Sequence, residues 1–511
     1  MSWTSIGSFG LVGLSGIAVN QLVMWGLVER GHINYLIAAV LASAGSTTSN
    51  FVLTEFWVFR ARRRQGIWRR YLGFVALTAA TTPVRLPILF VLTSVLGIHY
   101  LLSNLVALGS VFGGRYLVSN LFIWSRHSEQ HRYDIDGLVR VVSDFRLPEL
   151  EFFRTPHPAL PRERGTESSP GVGRIADLIV RRGVVGGILP HRGKSVSADD
   201  SYLFWREQTG GLGGNFRIDF GPPVLITVAP LLGISPHVVY TNLVEPALRF
   251  LLVQHNRMLL HAATIVINGQ TITLSAKTDT GKTGTILRLL HAHGGEFYSD
   301  DMVILSEDGV LSRYPKPLTI SAHTVRAMPS HRLSARSRLT LPLQSRLHSR
   351  QGRTVGKWLG QRNLPIMAMN AIVQVLCPPP KYEITDLVDC QIGLTTRLQH
   401  LFMIDRGGHA AVSEVPLETA TQDLASNTDD AYGFPPYASL APYLKIGGIR
   451  CDELAQREQR ILAGALGGVL TQRIVVRDYS WATVIEQHIG LGTPPAQEPQ
   501  LEPVLDPVVA T

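Results

Sequence analysis

Ala263-Thr-Ile-Val-Ile267, Asn268-Gly269, Ile272-Thr-Leu-Ser275 and then Ala276-Lys277-Thr278-Asp279-Thr280-Gly281-Lys282-Thr283-Gly284 form the run that decides the fold of the larger part of this chain. The two apolar, β-branched stretches predict strands, and Asn-Gly between them is the strongest short signal for a hairpin turn. The second strand leads into A-x-x-x-x-G-K-T, a phosphate-loop pattern whose first glycine is replaced by Ala276. In such a loop, successive backbone N–H groups around Gly281 cradle phosphate oxygens, Lys282 reaches the β and γ phosphates, and the Thr283 hydroxyl holds Mg²⁺. Alanine serves at the first position if its φ is negative. Gly284 to His293 then carries Ile286, Leu287, Leu289 and Leu290 at helical spacing before Gly294-Gly295 stops it. Strand, loop and helix come in the required order, although a tight hairpin departs from the helical crossovers of the usual parallel sheet.

Downstream, Phe297-Tyr-Ser-Asp300-Asp301-Met-Val-Ile-Leu305 places two adjacent carboxylates at the head of an apolar strand that ends at Asp308-Gly309. Neighbours on a strand face opposite ways. One carboxylate is thus expected to bind Mg²⁺ while the other acts elsewhere, for example as a base; the plainer alternative is a capped turn.

The chain has 511 residues, more than one core usually serves, with a net charge of +9 and an isoelectric point of about 9.6. A basic balance suits anionic lipid, nucleotide phosphates or nucleic acid without choosing among them. The mean hydropathy of +0.14 averages two unlike regions, because apolar residues concentrate before about residue 125. Cys377, Cys390 and Cys451 are too few for a disulfide framework and lack zinc spacing, which fits a reducing compartment for the polar part.

Ile6 to Val28, Ile33 to Phe59, Tyr71 to Leu96 and Leu101 to Trp124 each reach the roughly 20 mostly apolar residues a membrane span requires. Four spans are predicted, the first retained rather than cleaved. Arg60, Arg62, Arg63, Arg64, Arg69 and Arg70 lie between the second and third spans, so the positive-inside rule puts that loop, both termini and the polar part in the cytoplasm. Arg85 and Arg115 fall within spans and need a partner or a wet cavity, with a structural pair to Glu55 as the alternative to a ligand-phosphate role. The polar stretch 126–173 reads as a linker, 174–490 as the second domain and 491–511 as a disordered tail.

From Gly309 to Lys381 there is no acidic residue, while Arg313, Lys316, Arg326, Arg332, Arg336, Arg338, Arg346, Arg350, Arg353, Lys357 and Arg362 accumulate. A solvated loop is one explanation; contact with anionic headgroups or a phosphorylated lipid is the other. Aromatic residues are sparse there, so nucleic acid is not the expected partner. Arg350 and Arg353 are candidates to stabilise charge on a transferring phosphate.

The ends of the second and fourth spans, with Asn50-Phe51 and Trp57-Val-Phe59 in the first of them, resemble the GtrA-like family of small four-helix membrane proteins over residues 6 to 125. That resemblance implies moving or presenting polyprenyl-phosphate-linked sugars for cell-envelope polysaccharides. Leu259-Leu-His261-Ala-Ala263, the hairpin, Gly281-Lys282-Thr283 and Asp300-Asp301 resemble the HPr kinase/phosphorylase family, whose loop is of the phosphoenolpyruvate carboxykinase type. It implies an ATP and Mg²⁺ site with His261 near the γ phosphate and one Asp as base; no copy of the motif that engages HPr is present.

The expectation is therefore a multidomain protein of the inner membrane: an all-α bundle of four transmembrane helices plus an α/β P-loop domain. Two functions follow. One is a membrane-anchored kinase that phosphorylates a hydroxyl of a lipid-linked or protein acceptor; the other is a carrier or scaffold for a lipid-linked sugar with a nucleotide-sensing domain. A bundle of four helices is thin for a transport path, which suggests a homodimer or a partner glycosyltransferase.

Overall fold

The computed structural model describes residues 3–33, 35–59, 67–92, 130–155, 176–185, 193–209, 212–277, 280–320, 366–376, 378–407, 411–432 and 437–491, with positions 96, 98, 106, 115 and 119. The chain divides into two compact units, Met1–Ser128 and Glu129–Thr511.

The first unit holds α1 (Trp3–Trp25), α2 (Tyr35–Leu53) and α3 (Ile67–Phe90). α1 and α2 each run into a π-helical turn, at Gly26–Arg30 and Thr54–Val58, and those turns carry Glu29, Arg30 and Glu55. Among the described residues no helix is long and apolar enough to cross a membrane, so the expected four-span bundle is not what they display. Most of the fourth expected span, and residues 60–66 of the arginine loop, lie outside the described residues.

Phe9, Phe51, Phe59 and Phe74 form the core of this unit. Gly16 lets α1 approach α2, since a Cβ there would stand 2.3 Å from Asn50 Nδ2, and Ser46 Oγ donates to Gly16 O at 2.7 Å. Arg70 belongs to α3 rather than to the loop: its Nε and Nη2 donate to Glu55 Oε2 and Oε1 at 3.0 and 2.7 Å in a buried fork. Glu55 is thus paired with Arg70. Arg115 donates from Nη2 to Thr78 Oγ1 at 2.9 Å and sits over the Phe74 ring; the side chain of Arg85 lies outside the described residues.

The second unit starts earlier than composition suggests. β1 (His131–Ile135) and β2 (Val139–Ser143) form a hairpin around Asp136-Gly137, both at positive φ, inside the stretch expected as a linker. Charged residues outside the hairpin's buried face had hidden the strands. With β3 (Leu178–Arg182), β4 (Gly193–Ala198), β5 (Tyr202–Thr209), β6 (Leu212–Gly213), β7 (Phe216–Asp219) and β8 (Val224–Val228) they build an eight-stranded sheet in the order β1-β2-β3-β8-β7-β5-β4, β6 pairing with β5.

Next come α4 (Glu245–Val253), β9 (Arg257–Leu260), β10 (Ala262–Ile267), β11 (Gln270–Ser275), α5 (Lys282–His293), β12 (Glu296–Ser299), β13 (Val303–Ser306), β14 (Val310–Ser312) and β15 (Leu318–Thr319). α6 (Ile366–Leu376), β16 (Lys381–Tyr382), β17 (Gln391–Ile392), β18 (Thr395–Arg397), β19 (His400–Arg406), β20 (Ala411–Glu414), α7 (Leu417–Tyr432) and the small hairpin β21 (Lys445–Ile446) with β22 (Ile449–Arg450) follow. α8 (Cys451–Leu466), β23 (Leu470–Val476) and α9 (Trp481–Ile489) close the unit. A seven-stranded sheet runs β17-β12-β10-β11-β19-β23-β20, with β11, β19 and β23 mutually parallel; a smaller one runs β18-β14-β13-β9.

The expected hairpin is there, β10 against β11, with φ of +50° at Asn268 and +77° at Gly269. Both strands are buried on both faces, so their threonines need internal partners: Thr264 and Thr273 face each other across the pair, and Thr271 Oγ1 meets Thr396 Oγ1 at 2.7 Å. α5 packs Ile286, Leu289 and Leu290 against this sheet, and Trp481 and Ile485 of α9 share the same core. A second core gathers the eight-stranded sheet, α4, α7 and α8, with Arg249 and Glu458 forming a buried bidentate pair between α4 and α8 at 2.9 and 2.6 Å.

α5 ends at Gly294, whose φ is +68°, and Gly295 follows at +122°, where a Cβ would lie 2.2 Å from Val266 O. Gly295→Ala should lower stability by about 1 to 3 kcal/mol through the strained backbone alone, seen as a fall in melting temperature. Gly221→Ala, with nothing within 4 Å of the added Cβ, should melt with the wild type.

Candidate functional site

The loop leaves the buried β11 at Ala276, 2% exposed, and enters α5 at Gly281. Ala276 is not among the positive-φ residues, so the missing first glycine costs the backbone nothing there. Gly281 has φ +140°, and a Cβ on it would stand 2.7 Å from Trp481 Cζ3. Only glycine fits both restrictions. Inside the loop Thr280 Oγ1 donates to Lys277 O at 2.8 Å, and Thr285 N and Oγ1 both return to Gly281 O. Gly284 lies in the first turn of α5 with open space at its Cα. Thr278 and Asp279 lie outside the described residues.

The carboxylate pair is not on one strand, as the apolar run suggested. β12 ends at Ser299 in the seven-stranded sheet, Asp300 and Asp301 make a bend, and β13 begins at Val303 in the four-stranded sheet. A second crossing lies beside it. β9 belongs to the four-stranded sheet and β10 to the seven-stranded one, with His261 at the bend between them. Because Leu260 pairs with Val303 and Thr264 with Ser299, the two bends are held against each other. His261, Asp300 and Asp301 therefore meet at one corner.

The two carboxylates have separate partners. Thr283 Oγ1 donates to Asp300 Oδ2 at 2.9 Å, while Asp300 Oδ1 is buried with no hydrogen-bond partner among the described residues. Asp301 Oδ2 receives Lys316 Nζ at 2.6 Å, and its Oδ1 lies 3.5 Å from His261 Nε2. Lys316 also reaches Glu245 Oε2, at the start of α4, at 2.8 Å. His261 Nδ1 is 3.0 Å from Asn427 O, and a carbonyl only accepts, so Nδ1 carries a proton and Nε2 faces the carboxylate.

Charge is not balanced evenly across the corner. Burial raises the Asp300 carboxyl to about 6, with Asp301 adding repulsion and Thr283 opposing it. Burial likewise lowers the Lys282 ammonium to about 8 against the pull of Asp301 and Asp300; its hydrogen bond among the described residues is a long one, 3.5 Å to Ala276 O. Desolvation also disfavours ionised Asp301, but Lys316, then His261, outweigh it and hold this half-exposed carboxylate well below its usual range. Lys316 is buried yet raised, by Asp301 and Glu245. What remains is a buried cation and an orphaned carboxylate oxygen at the N-terminus of a three-turn helix, a setting made for an anion and a hard cation together.

The structure thus brings Ala276, Gly281, Lys282, Thr283, Gly284, His261, Asp300 and Asp301 to one place. Lys316 had been counted only as one of a basic run, and Glu245, Asn427, Arg406, Tyr479 and Trp481 were not singled out, since they come from distant segments with no local motif. The described ends of the basic run are paired rather than free: Arg313 with Asp136 at 2.8 Å, Lys316 as above, and Lys381 with Glu149 and His237. Arg326 to Arg362, with Arg350 and Arg353, lie outside the described residues. Among those described, no group of three or more His, Cys, Asp or Glu could hold a metal alone.

A carboxyl whose folded value is raised stabilises the fold only while protonated. Stability contributed by Asp300 is therefore lost as pH climbs from the ordinary 3.8 to about 6, where the folded protein binds more protons than the unfolded chain. Asp300→Asn should melt closer to, or above, the wild type at pH 7 than at pH 4, and added Mg²⁺ should raise the wild-type melting temperature at pH 7 more than that of the variant.

Residues 8–124 match the family model for the GtrA/DPMS transmembrane domain. Over 100 residues the chain is 38% identical to a dolichol-phosphate mannosyltransferase of Pyrococcus furiosus, an alignment covering 20% of this chain and 28% of that protein. The chain thus spans well under a third of the length of the relative it matches. An N-terminal GtrA/DPMS transmembrane domain, which marks a membrane protein, is joined here to a second, sheet-rich α/β unit.

Proposed function

We propose that the second unit is a Mg²⁺- and ATP-dependent kinase of the HPr kinase-like type, acting on a hydroxyl of a lipid-linked or protein acceptor in cell-envelope polysaccharide biosynthesis. The observation that carries this is the difference between neighbouring carboxylates: Asp300 shares a hydrogen bond with Thr283 and keeps one buried oxygen without a partner among the described residues, whereas Asp301 is held ionised by Lys316 and His261. A pure sensor has no use for the second arrangement.

Bound Mg²⁺-ATP would supply the transferable phosphoryl group and a divalent cation that neutralises charge developing on it. Thr283 Oγ1 and Asp300 Oδ1 are the oxygens suited to that cation, which characteristically takes one or two protein ligands and fills the rest with phosphate and water. Lys282, already desolvated, balances phosphate charge, and the free N–H groups at the start of α5 add donors. Asp301 accepts the proton of the acceptor hydroxyl as its oxygen bonds to the γ phosphorus and the bond to the β-phosphate oxygen breaks. His261 and Lys316 fix the orientation of Asp301, and Glu245 fixes Lys316. The protein's part is positioning and electrostatics.

The likeness of residues 8–124 to GtrA/DPMS domains favours a polyprenyl-phosphate-linked sugar as the substance the first unit handles, with a glycosyltransferase as partner. It also keeps alive the alternative of a carrier or scaffold whose second unit only senses nucleotide.

The test is Mg²⁺-ATP binding and turnover by the full chain in detergent with mixed lipid. Lys282→Ala should lose nucleotide binding, Asp300→Asn should require more Mg²⁺, and Asp301→Asn should bind nucleotide near normally while turnover falls by roughly 10²- to 10⁴-fold. Binding without turnover in the wild type would transfer the case to the sensing scaffold; absence of binding would remove both.

A further inference from the structure

β11, β19 and β23 run parallel, and the pairing of Ser275 with Met403 and of Arg406 with Val476 brings their carboxyl ends to one edge of the sheet. In open α/β sheets ligands bind outside that edge. The loop before α5 leaves from β11, and the segment Arg477 to Ser480 leaves from β23 on the same side.

Within that segment Tyr479 has φ +64° and is 55% exposed. A bulky residue in the left-handed region is a backbone outlier, and such strain persists only where the surroundings impose it. Here they do. Asp478 Oδ1 accepts from Ser480 Oγ at 2.6 Å and from Ser480 N at 3.3 Å, while Trp481, 1% exposed, donates from Nε1 to Asp405 O at 3.2 Å and packs against Gly281. Tyr479 meets the Trp481 ring edge-on at 5.5 Å.

Arg406 links this tyrosine to the loop. Its Nε and Nη2 donate to Thr280 O at 3.2 and 3.0 Å, and its guanidinium carbon lies 4.2 Å over the Tyr479 ring. One ring face is thus backed by a cation, the Trp481 ring stands at right angles to it, and more than half of the side chain stays in solvent beside the loop proposed above to bind phosphate.

We propose that Tyr479, backed by Arg406, is the platform on which the heteroaromatic base of the nucleotide stacks. The subsite rests on the nucleotide function proposed above and adds to it a residue that contacts the base. A bare aromatic face accepts any base, so the platform contributes affinity without choosing adenine over guanine. No hydrogen-bonding group for a base edge is needed.

The experiment measures Kd for Mg²⁺-ATP, Mg²⁺-GTP and Mg²⁺-tripolyphosphate on the full chain and on Tyr479→Gly and Tyr479→Trp. Glycine suits the left-handed backbone, so that variant keeps the fold and its melting temperature should not fall. Expected is a weakening of both nucleotides by about tenfold or more in Tyr479→Gly, tripolyphosphate affinity within about twofold of wild type, and full nucleotide affinity in Tyr479→Trp. Unchanged nucleotide affinity in Tyr479→Gly, equal loss for tripolyphosphate, or wild-type affinity no better for ATP than for tripolyphosphate would each overturn the platform while leaving the phosphate site standing. A wild type that binds none of the three would overturn the nucleotide function and the platform with it.

Discussion

Two chain segments that pass from one sheet to the other at the same place are what the candidate site depends on. β9 gives way to β10 at His261, and β12 gives way to β13 at Asp300 and Asp301. Each crossing alone is an ordinary bend. Their pairing, Leu260 with Val303 on one side and Thr264 with Ser299 on the other, is backbone hydrogen bonding within two buried sheets, and it fixes the backbone of the three candidate residues relative to one another. A site built on strand ends is held more tightly than one on loops.

Electrostatics then gives those side chains different characters. Asp300 and Asp301 are adjacent in sequence, yet burial pushes the first up to about 6 against the pull of Lys282 and Lys316, while Lys316, hydrogen-bonded to the second, keeps that one ionised. Lys316 can stay charged in a buried position because Glu245, at the start of α4, shares it. Pairs of titratable groups pushed apart by their surroundings are how one site performs two tasks at a single pH. The same reasoning explains Lys282, whose long contact to Ala276 O leaves a desolvated ammonium in want of an anion.

The first unit manages polar groups in apolar surroundings differently. Arg70 and Glu55 neutralise each other through two hydrogen bonds, and Arg115 shares a threonine hydroxyl and an aromatic face. Breaking such a buried pair leaves one uncompensated charge, which costs more than the intact pair contributes. These charges belong to packing between helices, and that is why the arginine count between the second and third apolar runs overstated the loop: Arg70 is the first helical turn of α3 turned inward.

Local chemistry determined much of this in advance. Asn268-Gly269 can make one kind of tight turn, Gly281 can take a φ of +140° that other residues refuse, and Ile286, Leu289 and Leu290 recur at the period of a helix, so hairpin, loop and helix were legible from residues in a row. His261, Lys282, Thr283 and the Asp pair were legible for the same reason, as part of an ordered set. What the row of letters could not supply was anything that depends on strands finding non-local partners. The β1–β2 hairpin hid in a polar stretch because Arg132, Asp134 and Arg140 interrupt its buried residues; the passage of Phe297 to Leu305 from one sheet to the other at Asp300-Asp301 depends on which distant strand each half pairs with. Lys316, Glu245, Arg406 and Tyr479 come from four separate segments, and only the parallel ends of β11, β19 and β23 and the crossing at His261 bring them to the loop. Periodicity and turn chemistry act over a few residues, whereas the different surroundings of the two carboxylates were decided by Lys316, a distant cation that hydrogen-bonds to Asp301 while Asp300 meets the Thr283 hydroxyl.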